Sequence, residues 1–260
     1  MAEVVVTLAQ MHVEVGQPQA NLETFRHLAA EARLLGSHIL LLPELWPMGY
    51  DLAHWRDHAT PLNEGMFREM SRVARESRMI VGGTLLEAEG DRAYNTFALF
   101  DVEGEQLAAY RKVHLFRLMG EGRWLAAGDR FDTATLGWAT AGLATCYDLR
   151  FPEMFRILVS RGATVLLVSA AWPDARIKHW SLLLRARAIE DQCFVLGCNC
   201  AGRAGNQACG GRSAIVDPWG EVCAEAGREP GLVSASIDLS VVGTVRSSMP
   251  ALDDRRPDLY

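Results

Sequence analysis

Three stretches of the sequence end a short apolar run on a side chain that can do chemistry. Ile39-Leu40-Leu41-Leu42-Pro43-Glu44 presents a carboxylate, Ala108-Ala109-Tyr110-Arg111-Lys112 an ammonium, and Leu143-Ala144-Thr145-Cys146 a thiol. A thiol becomes a good nucleophile when a base takes its proton or a cation steadies the thiolate. A carboxylate can be that base, and an ammonium can hold the negative oxygen that forms on an attacked carbonyl. Glu44, Lys112 and Cys146 therefore make a complete acyl-transfer set without histidine or metal. Singly, each has a plainer reading. Glu44 would be a solvated loop acid, Lys112 a surface partner of Arg111, and Cys146 a small buried residue. Only their joint occurrence reverses this. Of the 26 basic residues two are lysine, Lys112 and Lys178, and the rest arginine. A lysine that persists against such a bias points to a need for a compact ammonium that arginine cannot meet.

The surroundings of these residues resemble the motifs of the nitrilase superfamily of carbon–nitrogen hydrolases. Cys146-Tyr147-Asp148-Leu149-Arg150-Phe151-Pro152-Glu153 is similar to the nucleophile motif, Leu42-Pro43-Glu44 to the base motif, and Tyr110-Arg111-Lys112-Val113-His114-Leu115-Phe116 to the lysine motif, in the expected order. Gly120-Glu121 resembles the position of a second glutamate, and His179-Trp180 with Arg185-Ala186-Arg187-Ala188-Ile189-Glu190 also matches. The resemblance runs from about Val4 to Asp238. It implies a four-layer α-β-β-α sandwich, paired into homodimers through helices, and no cofactor. It also implies Glu44 as general base, Lys112 as stabiliser of the oxyanion, Cys146 as nucleophile, and Glu121 as the residue that orients Lys112 or the substrate amide. The backbone N–H of Tyr147 would be the second oxyanion donor.

Within the superfamily, the pairing of the cysteine motif with His114-Leu115-Phe116-Arg117-Leu118-Met119-Gly120-Glu121 is most like the ω-amidase branch, as is Ala171-Trp172-Pro173-Asp174-Ala175-Arg176. That branch hydrolyses the terminal amide of short 2-oxo dicarboxylic monoamides such as 2-oxoglutaramate, through a cysteine thioester. A carboxylate-bearing substrate needs a cation at the far end of its pocket, for which Arg176 is the candidate, with Phe116 and Trp172 as walls. Arg150 reads as structural, paired with Asp148 or Glu153. Aliphatic amides, deaminated glutathione and nitriles are alternatives that the same set could serve, and a non-catalytic binding protein is a further one.

The elements that must hold these residues alternate along the chain. Val4–Leu8 reads as a buried strand, then Asn21 as the N-cap of a helix with Leu22, Phe25, Leu28, Ala29, Ala32 and Leu35 on one face until Gly36. Ile39–Leu42 is a strand, Gly65–Ser77 a helix, and Met79–Leu85, Tyr94–Asp101 and Gln106–Tyr110 are strands, the last two forming a hairpin about Gly104. Strand Leu143–Thr145, helix Pro152–Arg161, strand Thr164–Ser169, helix Ile177–Gln192 and strand Phe194–Asn199 follow. A hairpin turns at Asp217-Pro218-Trp219-Gly220, and Val233–Ile237 is the last strand. Such alternation implies an α/β protein in which helices cover sheets. No linker divides the 260 residues, so one domain over 1–260 is expected, with 239–260 as a C-terminal tail.

Composition narrows the partners. With 49% hydrophobic and 22% charged residues the chain is of ordinary globular type, and a net charge of −6 argues against a nucleic-acid or anionic-membrane surface. No apolar run approaches a membrane span, and the start, Met-Ala-Glu-Val-Val-Val, has neither the basic region nor the cleavage site of a signal peptide, so a cytoplasmic protein acting on a small-molecule amide is expected. Six cysteines are too few for a disulfide scaffold, and Cys198, Cys200 and Cys209 lack the spacing of a zinc site, so they read as reduced thiols. His114 and His179 read as loop-holding residues, Trp180 as core, and Gly202–Gly211 as a loop.

Overall fold

The computed structural model describes residues 3–204 and 207–259. The first part of the chain runs β1 (Val4–Gln10), α1 (Pro18–Leu34), β2 (Ile39–Leu41), a short α2 (Trp55–His58), α3 (Gly65–Ser77), β3 (Ile80–Glu89), β4 (Arg92–Phe100) and β5 (Gln106–Arg111). The second runs β6 (Thr133–Thr135), β7 (Thr140–Thr145), α4 (Pro152–Ser160), β8 (Val165–Ala170), α5 (Ile177–Asp191), β9 (Phe194–Asn199), a ribbon of β10 (Arg203–Ala204) and β11 (Gln207–Ala208), then β12 (Ala214–Val216) and β13 (Val222–Glu225). Strand β14 (Gly231–Ile237) returns to lie antiparallel to β1, with Val4 opposite Ile237 and Gln10 opposite Gly231, and α6 (Ser240–Ser248) follows. The two large sheets have the orders β14-β1-β2-β3-β4-β5 and β13-β12-β9-β8-β7-β6. Each keeps three parallel strands at its middle, β1-β2-β3 and β7-β8-β9, with antiparallel pairs outside them.

The layers follow from the period of the strands, whose successive side chains face opposite ways. In β2, Ile39 and Leu41 join a core that also holds Leu143, Leu167 and Leu196 of the other sheet, while Leu40 packs with Phe25 and Phe67 of α1 and α3. Trp180 and Leu184 of α5 and Phe155 of α4 cover the outer face of the second sheet. Helix, sheet, sheet and helix thus stack in four layers. Buried on both faces, the middle strands read as unbroken apolar runs, which is why Ile39–Leu42 shows no alternation in sequence. The packing is close at the end of β2: a Cβ on Gly83 would stand 2.8 Å from that of Leu42.

Several local expectations are corrected. Helix α1 begins at Pro18, whose fixed φ suits a first turn. Asn21 lies inside the helix, where its side chain accepts from the Glu14 N–H at 2.9 Å and donates to the carbonyls of Glu14 at 2.7 Å and Pro47 at 2.8 Å. The glycine-rich segment holds the β10–β11 ribbon, which brings Cys200 and Cys209 to a Cα separation of 5.7 Å as a disulfide. The reading of these two as reduced thiols is therefore overturned, because closure of a hairpin is invisible in linear spacing. Cys146, Cys193, Cys198 and Cys223 are free. The stretch after residue 239 contains α6, which buries Val242 and Val245.

Candidate active site

Glu44, Lys112 and Glu121 meet in a sealed cluster behind Cys146. Glu44 is delivered by the end of β2, and the two sheets clamp it. Its backbone N–H donates to the Ala170 carbonyl at 3.2 Å at the end of β8, and Ser169 Oγ donates to the Leu42 carbonyl at 2.7 Å. The next residue, Leu45, takes a left-handed φ of 48°, with its N–H donating to Thr84 Oγ1 at 2.7 Å. Lys112 extends the β4–β5 ladder by one step, its N–H donating to the Asn95 carbonyl at 2.9 Å. Its ammonium donates to Glu44 Oε1 at 2.8 Å and to Glu121 Oε1 at 2.9 Å, and all three side chains are fully enclosed. Glu121 is fixed in turn by the Tyr50 hydroxyl at 3.0 Å and the Phe116 N–H at 2.8 Å. Glu44 also accepts from Asn95 Nδ2 at 2.8 Å on Oε1 and from the Ala171 N–H at 3.0 Å on Oε2.

Cys146 directly follows β7 and opens a tight helical turn, Cys146–Arg150, at a φ of 47° that side-chain-bearing residues seldom adopt. Asp148 is the hub of that turn. One carboxylate oxygen accepts from the Thr145 N–H and the Tyr110 hydroxyl, both at 2.8 Å, and the other from the His114 N–H at 3.1 Å and ring at 2.7 Å. Arg187 of α5 donates to the Leu149 carbonyl from Nε at 3.2 Å and Nη2 at 3.0 Å. The thiol is buried, which pushes its pKa well above the ordinary cysteine value; the Glu44 charge raises it further and Lys112 opposes. Cys146 therefore rests as a protonated thiol. Burial alone would push the Lys112 ammonium down, but the Glu44 and Glu121 carboxylates more than reverse this and keep it charged.

The thiol opens into a narrow cleft lined by Phe116, Met119, Tyr147, Arg150, Trp172, Pro173 and Arg176, among others. Phe116, Trp172, Tyr147 and Arg176 thus line one cleft with Cys146. The Trp172 indole donates to the Arg176 carbonyl at 2.9 Å, fixing the turn that carries that arginine. Arg150 departs from expectation. Asp148 is committed to Tyr110, His114 and Thr145, and the Arg150 guanidinium lies over the Trp172 ring at 4.8 Å and beside His179 Nδ1 at 3.3 Å, facing the cleft. No ion pair to Arg150 or Arg176 occurs among the described residues. His114 stacks on Phe151 at 3.8 Å and holds its loop through Asp148, and Trp180 is core, donating to the Arg212 carbonyl at 2.7 Å. Among the described residues no group of three or more His, Cys, Asp or Glu side chains is placed to hold a metal ion. Asn95 and Tyr50 were not singled out by sequence, and Asp148 was named there only as a partner for Arg150.

A lysine locked between two glutamates behind a thiol at a strand end, on a pair of helix-covered sheets, is the arrangement of a carbon–nitrogen hydrolase. The family model of that description matches residues 5–247, and the chain belongs to the family: it is a hydrolase of carbon–nitrogen bonds other than peptide bonds. Its relatives include the 2-oxoglutaramate amidase of Bacillus subtilis (strain 168), 40% identical over 98% of both chains, and omega-amidase NIT2 of Mus musculus, 33% identical over 97% of this chain and 96% of the other. Among solved structures, Saccharomyces cerevisiae Nit3, a member of branch 10 of the nitrilase superfamily, superposes with a TM-score of 0.91 at 28% identity, covering 98% of this chain and 97% of that one. A mutant amidase from Nesterenkonia sp. AN1 showing Michael addition of acrylamide at its active-site cysteine superposes with a TM-score of 0.88 at 29% identity, covering 98% of each.

Proposed function

We propose that this chain hydrolyses the terminal amide of a short monoamide carrying a carboxylate at its other end, 2-oxoglutaramate being the model substrate, through a thioester on Cys146. The observation that carries the reading is the lining of one cleft: a thiol backed by Glu44, Lys112 and Glu121, together with two guanidiniums, Arg150 and Arg176, that have no ion-pair partner among the described residues. The names of the Bacillus and mouse relatives agree with it.

The chemistry follows from the contacts. Glu44 takes the Cys146 proton as sulfur attacks the amide carbon, so thiolate forms only during the attack. Lys112 and the Tyr147 N–H receive the oxyanion. Such donors, already aligned, are worth about 3 kcal/mol each. The C–N bond then breaks, Glu44 returns its proton to the leaving nitrogen, and ammonia departs from a thioester. Glu44 next takes a proton from water, whose oxygen attacks the thioester carbon, and sulfur leaves to recover its proton. Glu121 keeps Lys112 aimed throughout. At the outer end Arg176 and Arg150 hold the substrate carboxylate between the aromatic walls Phe116 and Trp172.

The test is ammonia release from 2-oxoglutaramate, the matching neutral amide and the matching nitrile, with Cys146→Ala and Arg176→Ala. Turnover should favour the carboxylate-bearing amide and vanish in C146A. R176A should raise KM about tenfold or more for that amide alone, as loss of a charge-assisted contact predicts. Turnover surviving in C146A removes the nucleophile, and equal losses on the neutral amide remove Arg176 as anchor.

The chain is further proposed to pair with a second copy across the outer faces of α4 and α5. Helix α5 buries Trp180, Leu184 and Ala188 yet leaves Leu182 68% and Ile189 53% exposed, with Trp219 also exposed in the turn that packs on Ile189. Apolar groups gathered in this way mark an interface. A cytoplasmic setting is proposed from the four free thiols, with the single Cys200–Cys209 disulfide standing against it. No helix of the described residues is long and apolar enough to cross a membrane.

A further inference from the structure

We infer that Asn95, on β4 of the first sheet, is a positioning residue that holds Glu44 in place as a base while Lys112 moves its attention to the substrate. The inference rests on the reading of Glu44 as base given above. Three N–H donors converge on the Glu44 carboxylate: Lys112 Nζ and Asn95 Nδ2 on Oε1, both at 2.8 Å, and the Ala171 N–H on Oε2 at 3.0 Å. Lys112 is a shared partner. It also serves Glu121, and it must turn toward an oxyanion during the reaction. Each shift of the ammonium weakens its hold on Glu44. Asn95 has no such second duty on its nitrogen side, so its donation to Oε1 keeps the carboxylate aimed at the thiol when the ammonium is drawn away.

Asn95 is also tied to the ammonium through its backbone. The Lys112 N–H donates to the Asn95 carbonyl at 2.9 Å, so one residue of β4 sets both where the base sits and where the lysine leaves its strand. The side chain is fully buried, and its Oδ1 has no hydrogen-bond partner. Burying an acceptor without a partner destabilises a fold, and an apolar side chain of similar size would avoid it. A residue placed for packing would not be an amide. What the amide supplies is its nitrogen: an uncharged donor that favours the ionised carboxylate without adding to the charge of the cluster.

The experiment compares the full chain with Asn95→Leu and Asn95→Asp. The readouts are the pH dependence of kcat/KM for 2-oxoglutaramate and of Cys146 alkylation by iodoacetamide, with thermal unfolding as the check on folding. In folded N95L, kcat/KM should fall about 10- to 100-fold near neutral pH with KM within about twofold, and the acid limb of both profiles should move up by about one pH unit, since a donor to the charged base is gone. N95D keeps the shape but turns an acceptor toward Glu44, and it should lose more than N95L above pH 7; it carries the test where N95L does not fold. An acid limb left where it was in either folded variant overturns the inference, whatever the loss in rate. Glu44→Gln separates the two readings. If E44Q turns over within tenfold of the unaltered enzyme, Glu44 is not the base; if E44Q is dead while the Asn95 profiles stand still, only the role of Asn95 fails.

Discussion

Cys146 holds its left-handed φ only because its surroundings demand it. Asp148 takes four donors from Thr145, Tyr110 and His114, and Arg187 grips the carbonyl of Leu149, so the turn behind the sulfur is over-determined. Lys112 is as strictly placed. Its ammonium fills a fully enclosed space with carboxylate oxygens at 2.8 and 2.9 Å, where a planar guanidinium has neither the room nor the single donor direction. Lys112→Arg is therefore expected to lower kcat by about 10²- to 10³-fold or more, measured as ammonia release under saturating substrate. A variant retaining a tenth of the activity would show that charge alone suffices. At this scale Glu44, Lys112, Cys146 and Glu121 were legible because each is a reactive residue in a distinctive local context. Asn95 and Tyr50 were not. Their contacts to Glu44 and Glu121 span 51 and 71 residues, and no local pattern reports them.

Helix α5 ends on a buried carboxylate. Asp191 packs at the foot of α4 and α5 with Arg156 Nη1 at 3.2 Å, and burial pushes its pKa up to about 7, with Arg156 opposing. An acid whose folded value is raised binds its proton more tightly in the folded chain than in the unfolded one. Its contribution to stability is thus most favourable below the ordinary value of 3.8 and is lost as pH rises from there to about 7. Asp191→Asn removes this dependence. The change in melting temperature on substitution should be more favourable to the variant at pH 8 than at pH 5, and an equal change at both would refute the assignment. The middle strands and the helices Gly65–Ser77 and Ile177–Asp191 were legible from apolar runs and helical spacing. The small ribbon, β6 and α6 were not, being short and held by tertiary contact; α6 for instance stays docked through Arg246, which donates to the carbonyls of Gln192 at 3.2 Å and Ala163 at 3.1 Å.

On the scale of the whole molecule, α5 carries apolar side chains on its outward face, and the proposed pairing should bury Leu182. Leu182→Glu is expected to shift the sedimenting mass from that of two chains to that of one, and an unchanged mass would place any interface elsewhere. The layered architecture was legible only through the resemblance of the motifs. Alternation of strands and helices says that helices cover sheets, but not that two sheets stack face to face. The pairing of β14 with β1, across more than two hundred residues, leaves no mark in either strand.

The cleft is also electrically lopsided. Two carboxylates and one ammonium lie sealed behind its thiol, one acidic group in excess, while the two guanidiniums that line it have no acidic partners among the described residues. On the proposed chemistry the incoming molecule is neutral where it meets the thiol and anionic where it meets the arginines, so it enters the right way round. Cleavage turns the neutral end into an anion in front of the buried carboxylates, and that new charge favours departure of the acid over return of the product.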